Sequence, residues 1–240
     1  MDVAGVDGCK GGWLLVRADA TGRLRIEDVS IISTFRELID VTMDCAAVAV
    51  DIPIGLSNGP EREADQRARA FLKEPRARSV FRAPCWPVLD KTTDESEYRE
   101  VCRISREYCL RKNGQPAAIS QQAWRIMAKV REANLTMTPA VQERVREAHP
   151  EVSFWALNGY RPLDHAKLKH DGAAERLRLL TPAYRDDLAS VDLPRGAKLD
   201  DLYDACAAAW TAGRIAYGTA RRLPAEPPLD SHGLRMEIVY

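Results

Sequence analysis

The sequence predicts an α/β protein: a mixed sheet flanked by helices, with a mainly helical insertion. Three observations predict it. The first fifty or so residues set three strand-like runs, a capped helix and a further apolar run in that order. From about residue 60 to 148 the pattern changes to charged, helix-forming sequence broken by loops containing Pro and Gly. Beyond residue 150 apolar runs return, and a long terminal helix carries a stretch of small residues.

Val3 to Asp7 reads as the first strand. Trp13 to Arg17 follows the turn Gly8-Cys9-Lys10-Gly11-Gly12 as the second, and Leu24 to Ile32 is the third. Thr34 is an N-cap with Glu37 three residues on, and Phe35, Leu38, Ile39 and Thr42 share one face of the helix it starts. Ala46 to Ile52 is an unbroken apolar run ending in Asp51-Ile52-Pro53, as expected of a parallel strand buried on both faces. Helices are predicted over Glu61 to Lys73, Glu95 to Arg111, Ser120 to Asn134 and Thr138 to Glu147, with Arg76 to Pro84 a loop near the mouth of the site. The sheet is expected to resume at Glu151 with a strand over Val152 to Leu157. A helix from Ala173 to Leu180, the long helix from about Asp200 to Tyr217, and a short edge strand at Met236 to Tyr240 complete the chain. Residues 1–240 thus read as one domain with an insertion at about 60–148. Three strands, a helix, then a further strand is the opening of a ribonuclease H-like fold.

At 240 residues and 45% hydrophobic content the chain can bury a substantial core. Its 35 basic and 35 acidic residues cancel, which argues against a protein that coats nucleic acid non-specifically. The distribution is uneven: between Pro60 and Ala148, 14 Arg and 4 Lys face 13 acids. An arginine-weighted insert beside an acidic remainder suits a phosphate ligand docking on a carboxylate–metal site. No run approaches the roughly 20 apolar residues of a membrane span, and the start leads directly into a strand, so a cytoplasmic location is expected. The six cysteines show no C-x-x-C pair and no regular spacing with the four histidines. Neither a zinc site nor a disulfide framework is expected, and most of the thiols should be reduced and packed in the core.

Four scattered segments each combine an acid with an apolar run: Val3-Ala4-Gly5-Val6-Asp7-Gly8, Val48-Ala49-Val50-Asp51-Ile52-Pro53, His149-Pro150-Glu151-Val152-Ser153-Phe154, and Leu199-Asp200-Asp201-Leu202-Tyr203-Asp204-Ala205. Carboxylates are costly where apolar runs converge, and an oxygen-rich cluster is best held by Mg²⁺ or Mn²⁺. Two-metal phosphoryl chemistry needs a bridging carboxylate flanked by others. Asp7 is the candidate bridge, with Asp51 and Asp204 as further ligands and Asp201 or Glu151 completing the set. Asp201 has a second reading as a helix cap. His149 is a candidate to move a proton. Lys10, Arg62, Arg67, Arg78, Arg82 and Lys167 are candidate phosphate contacts.

The segments Gly5-Val6-Asp7-Gly8-Cys9-Lys10-Gly11-Gly12-Trp13, Asp51-Ile52-Pro53-Ile54-Gly55-Leu56, Arg62 with Asp65 and Arg69, Ser79-Val80-Phe81, His149-Pro150-Glu151-Val152-Ser153-Phe154 and Asp200-Asp201-Leu202-Tyr203-Asp204-Ala205 resemble domain-of-unknown-function family 429, the predicted nucleases of ribonuclease H-like fold. The last helix is also similar to that of Holliday-junction resolvases, in which an acid on the C-terminal helix completes the metal site. The resemblance implies a Mg²⁺- or Mn²⁺-dependent nuclease acting on DNA, RNA or another phosphodiester. Ribonuclease H proteins carry a glutamate on the helix after the third strand; Glu37 stands nearest but suits the capping box, which leaves Glu151 to fill that role. Two other classes remain open: a nucleotide-binding, actin-like ATPase using the Asp7-Gly8 turn, and a non-catalytic binding module. Oligomeric state is not legible in the sequence.

Overall fold

The computed structural model describes residues 1–109, 117–167 and 169–240. The Gly-rich turn folds β1 (Asp2–Cys9) against β2 (Gly12–Asp19), and β3 (Arg25–Ile32) adds antiparallel to β2. Thr34 starts α1 (Phe35–Val41): its hydroxyl accepts the Glu37 N–H at 3.1 Å, and the helix buries Phe35, Leu38 and Ile39. β4 (Ala47–Val50) then runs parallel to β1, and β5 (Val145–Glu147) parallel to β4, giving the order β3-β2-β1-β4-β5. Between β4 and β5 lie α2 (Glu63–Arg76), α3 (Trp86–Asp90), α4 (Tyr98–Tyr108), α5 (Gln121–Arg125), α6 (Met127–Thr136) and α7 (Pro139–Gln142). After β5 come α8 (Pro150–Leu157), α9 (His170–Leu180), α10 (Leu199–Ala216), β6 (Arg222–Leu223) and β7 (Ile238–Val239). The mixed sheet flanked by helices is the ribonuclease H-like arrangement that the order of elements predicts. Among the described residues, no helix is long and apolar enough to cross a membrane.

Side chains alternate along a strand, so Val3, Gly5, Asp7 and Cys9 share one face of β1 while Ala4 and Val6 take the other. The second face packs with Trp13, Phe35, Leu38, Val48 and Val50, and with Val88, Leu89 and Val130 from the helices between β4 and β5. The first is covered by α10, whose small residues Ala205, Ala207, Ala208 and Ala209 are all fully buried. The approach is backbone on backbone: a Cβ added to Gly5 would stand 2.0 Å from the Ala205 carbonyl oxygen and 2.1 Å from the Ala209 amide nitrogen.

Several elements differ from expectation. Thr138 to Glu147 is not one helix. A single turn, α7, precedes β5, because Val145 and Glu147 are drawn into the parallel sheet beside β4. Val152 to Leu157 is a helix rather than a strand: His149 caps it, Pro150 opens it, and its first turns are buried on all sides, so its apolar run carries no helical period. The helix expected over Ser120 to Asn134 breaks at Ile126 into α5 and α6. Pro75 drives Glu74 out of the helical region within α2. The helix of Glu95 to Arg111 begins only at Tyr98, and its expected end at Leu110 and Arg111 lies outside the described residues. β7 pairs with β6 rather than continuing the main sheet, touching it through an Ala148–Val239 bridge. Cys85 and Cys109 form a disulfide that their 24-residue separation did not suggest; Cys9, Cys45, Cys102 and Cys206 are free, buried thiols.

Gly5→Ala should push α10 off the sheet and cost about 2–4 kcal/mol, in the upper range of overpacking effects, because backbone rather than a mobile side chain is in the way. Urea unfolding checks this, and an unchanged midpoint would contradict the close approach.

Candidate functional site

The parallel register pairs Val6 with Val50, and the Asp51 N–H continues the ladder by donating to the Val6 carbonyl at 2.9 Å. Asp7 and Asp51 therefore follow at the same level on adjacent strands. Asp7 is two residues beyond Gly5 and faces the same side, where α10 lies with Asp204 one residue before Ala205. Sheet register and one close helix contact thus gather acids from three distant segments.

These carboxyls are in poor surroundings for charge. Asp7 is 8% and Asp204 3% exposed. Burial, with the charges of Asp51 and Asp204 added to it, raises the Asp7 pKa well above the ordinary carboxylate range. Burial also raises Asp51, against partial relief from His149 and Lys167. Asp204 is pushed up to about 6 by burial even though the Lys167 ammonium donates to its Oδ2 at 2.7 Å. That ammonium is itself held charged: its attraction to Asp204, Asp7 and Asp51 outweighs its own burial.

Glu151 sits in the first turn of α8, 7% exposed, in an ion pair with the fully buried Arg176. Its other oxygen, Oε2, is buried without a hydrogen-bond partner. His149 accepts the Glu151 N–H at Nδ1 (3.2 Å), which leaves the proton of the neutral ring on Nε2. Two adjoining hollows of about 160 and 270 Å³ share Asp51, Phe81, Gln122 and His149. Asp7, Lys129 and Glu147 line the first; Glu151, Lys167, Asp204, Arg76 and Ser79 line the second. Among the described residues, no three carboxylate, His or Cys groups stand close enough to hold a metal ion as they are placed.

The remaining predicted residues are placed elsewhere or otherwise engaged. Asp201 accepts the Lys198 N–H at 2.9 Å and caps its own helix. Arg62 lines the first hollow but spends its donors inside the protein: on Asp65 (2.6 Å), on both oxygens of Glu147 (2.8 Å each), and on the carbonyls of Ile54 and Gly55. Arg78 is exposed and paired with Glu74, Arg67 with Glu63. Arg82 turns to Ser105 and the carbonyls of Ala117 and Ala118, and Lys10 is exposed in the β1–β2 turn. Sequence reasoning missed Arg76, two residues from Arg78, whose buried Nε is unpartnered beside the second hollow. It also missed Lys129, which donates to the Gly12 carbonyl at 2.5 Å and lies over the Trp13 ring. The signal for Arg76 was its place at the start of the loop expected near the mouth of the site, and nothing local marks Lys129.

A ribonuclease H-like sheet with acids gathered where β1, β4 and the last helix meet defines a protein with an acid-lined cleft at the ends of its central strands. The chain belongs to the family described as "Protein of unknown function (DUF429)", whose model matches residues 5–229. Among solved structures it is similar to Thermus thermophilus RuvC, at 15% identity over 91% of this chain and 98% of that one, with a TM-score of 0.39. It is also similar to T. thermophilus RuvC in complex with Holliday junction substrate, at 16% identity over 91% and 97%, again with a TM-score of 0.39. Comparison with curated protein sequences gives no significant match.

Because these carboxyls hold protons more tightly folded than unfolded, the stability they contribute is fully present below about pH 4 and is lost as pH rises, for Asp204 through about 6. Without divalent cations, Asp7→Asn should match the wild type at pH 4 and be the more stable of the two at pH 8, where ionising the buried Asp7 carboxyl costs the wild type stability. Denaturant unfolding across that range checks the sign; a variant less stable than wild type at pH 8 would contradict it.

Proposed function

We propose that the protein is a divalent-cation-dependent phosphodiesterase acting on nucleic acid, with Asp7, Asp51 and Asp204 holding Mg²⁺ or Mn²⁺. The observation that carries this reading is that Asp7, at the end of β1, and Asp51, just past β4, line one hollow, while Asp51 and Asp204 of α10 line the adjoining one together with Lys167, Arg76 and His149. The donor set fits a hard cation: carboxylate oxygens burdened by mutual repulsion, and beside them the unpartnered Glu151 Oε2. Closing the set on a cation takes rotation of these side chains.

Asp7, Asp51 and Asp204 would hold such a cation, which would supply a Lewis acid able to activate water and to stabilise charge on the leaving oxygen. The chain's own groups do the rest. Arg76 and Lys167 offer charged donors for the phosphate. His149, oriented by the hydrogen bond it accepts from the Glu151 amide, presents its Nε2–H as a hydrogen-bond donor to water or to a phosphate oxygen. Phe81 and Gln122 wall both hollows and restrict water around the reacting groups.

Incubation with linear and branched DNA and with RNA, in Mg²⁺, Mn²⁺ or chelator, tests the proposal. Cleavage should require the cation and fall by about a hundredfold or more in Asp7→Asn, the scale seen when one preorganised electrostatic partner is removed. Equal cleavage by the variant would contradict the assignment of Asp7. Hydrolysis of ATP with no cleavage of any nucleic acid would favour the nucleotide-binding alternative.

A further inference from the structure

The far end of α10 carries a hollow of a different kind. Asp204 near the start of that helix belongs to the acidic cleft, and Arg214 stands ten residues further on, about 15 Å along the axis. A hollow of about 310 Å³ opens there against the β2–β3 turn, larger than either hollow of the cleft. Arg23, Leu24, Ala183, Trp210, Arg214 and Tyr217 line it, and no carboxylate is among its lining residues.

Its guanidiniums meet carbonyls rather than acids. Arg214 donates to the Thr219 carbonyl at 2.9 Å, and Arg23 to the carbonyls of Thr181 (2.8 Å) and Tyr184. Arg185 donates to the Thr21 carbonyl at 2.5 Å, and its Nη2 lies 3.2 Å from where a Cβ on Gly22 would stand. Among the described residues, none of the three pairs with a carboxylate. A carbonyl orients a guanidinium without cancelling its charge, and leaves further N–H donors of the fork for a ligand. The acids flanking these segments are turned elsewhere: Asp19 to the Met1 ammonium (2.8 Å), Asp186 to the Ile26 N–H (2.8 Å) and Asp187 to the Ala189 N–H (3.1 Å). Closing the last turn of α10 accounts for Arg214. It does not account for Arg23 and Arg185, which reach the same place from two other elements.

The aromatic wall is held in position. The Arg214 guanidinium lies 4.8 Å over the Trp210 ring, and the Tyr217 hydroxyl donates to the Ala20 carbonyl at 2.9 Å, which anchors a residue that is 56% exposed. Fixed aromatic groups beside guanidiniums that keep their charge suit one ligand chemistry, a planar base joined to a phosphate. We infer that this hollow is a nucleotide-binding site separate from the acidic cleft, with the base on Tyr217 and the Arg214–Trp210 layer and the phosphate on Arg23 and Arg185. A space of about 310 Å³ is at the small end of ligand sites, so it holds one nucleotide, free or as a unit of a strand. Nothing in this site requires a cation in the cleft, so it stands or falls apart from the reading above.

Binding of AMP, adenosine and a short fluorescein-labelled single-stranded DNA to the intact protein, followed in chelator by calorimetry and fluorescence anisotropy, tests it. The wild type should bind AMP, the DNA strand or both; AMP marks a site for the free nucleotide, and the strand alone a site for a nucleotide within a chain. Tyr217→Ala and Arg23→Gln should each weaken that binding by about tenfold or more, the scale of one stacked base or one charge-assisted contact. Both side chains are exposed, so their replacement leaves the core intact, and circular dichroism verifies the fold. No binding of either probe by the wild type, adenosine bound as tightly as AMP, or binding that both variants keep at full strength would overturn the inference.

Discussion

The cleft depends on one constraint: three carboxylates are held together where water is scarce. Like charges at such a place raise one another's pKa and oppose the fold. What keeps them there is packing with no electrostatic element in it. Gly5 lets α10 lie directly on β1, the Val6–Val50 register levels Asp7 with Asp51, and the buried alanines of α10 bring Asp204 down to the same layer. Apolar burial thus sustains an arrangement that its charged groups alone would push apart, as is common where stability is given up for a functional site.

The second scaffold is the Arg62 network. It joins the start of α2 to the end of β5 and to the chain leaving β4, with Asp65 also accepting the Ala83 N–H at 3.1 Å. A buried guanidinium with two carboxylates is costly to desolvate, and each partner is satisfied by several hydrogen bonds. Its effect is to fix the start of α2 and the Ala83 backbone against the strand ends, beside the hollow that Phe81 lines with Asp7 and Asp51. A residue that reads as a phosphate contact in the sequence is thereby a structural tie, and the cationic wall of the cleft falls to Arg76 and Lys167.

Much of this was legible in the chain. An acid closing an apolar run has few inexpensive explanations, and Asp7 and Asp51 line one hollow while Asp51 and Asp204 line the one beside it. Glu151 and His149 were placed at the right point of the sequence but on the wrong element, because a helix buried on all sides shows the same unbroken apolar run as a buried strand. β5 was hidden for the opposite reason: three residues, two of them charged, become a strand only because β4 offers them a partner. Asp201 shows the limit of spacing arguments, since sharing a helix face with Asp204 is equally what a cap requires. Which arginines face the cleft depends on where the insertion folds back, and no local pattern distinguishes Arg76 from Arg78.

Whether a bound cation relieves the cost of this carboxylate cluster at neutral pH is read from thermal unfolding of wild type and Asp7→Asn at pH 8 in chelator and in rising Mn²⁺. A ligand that binds only the folded state at a hundred times its dissociation constant adds about 2.7 kcal/mol. Mn²⁺ should raise the wild-type melting temperature and leave that of Asp7→Asn unmoved. An equal rise in both, or none in either, would contradict it.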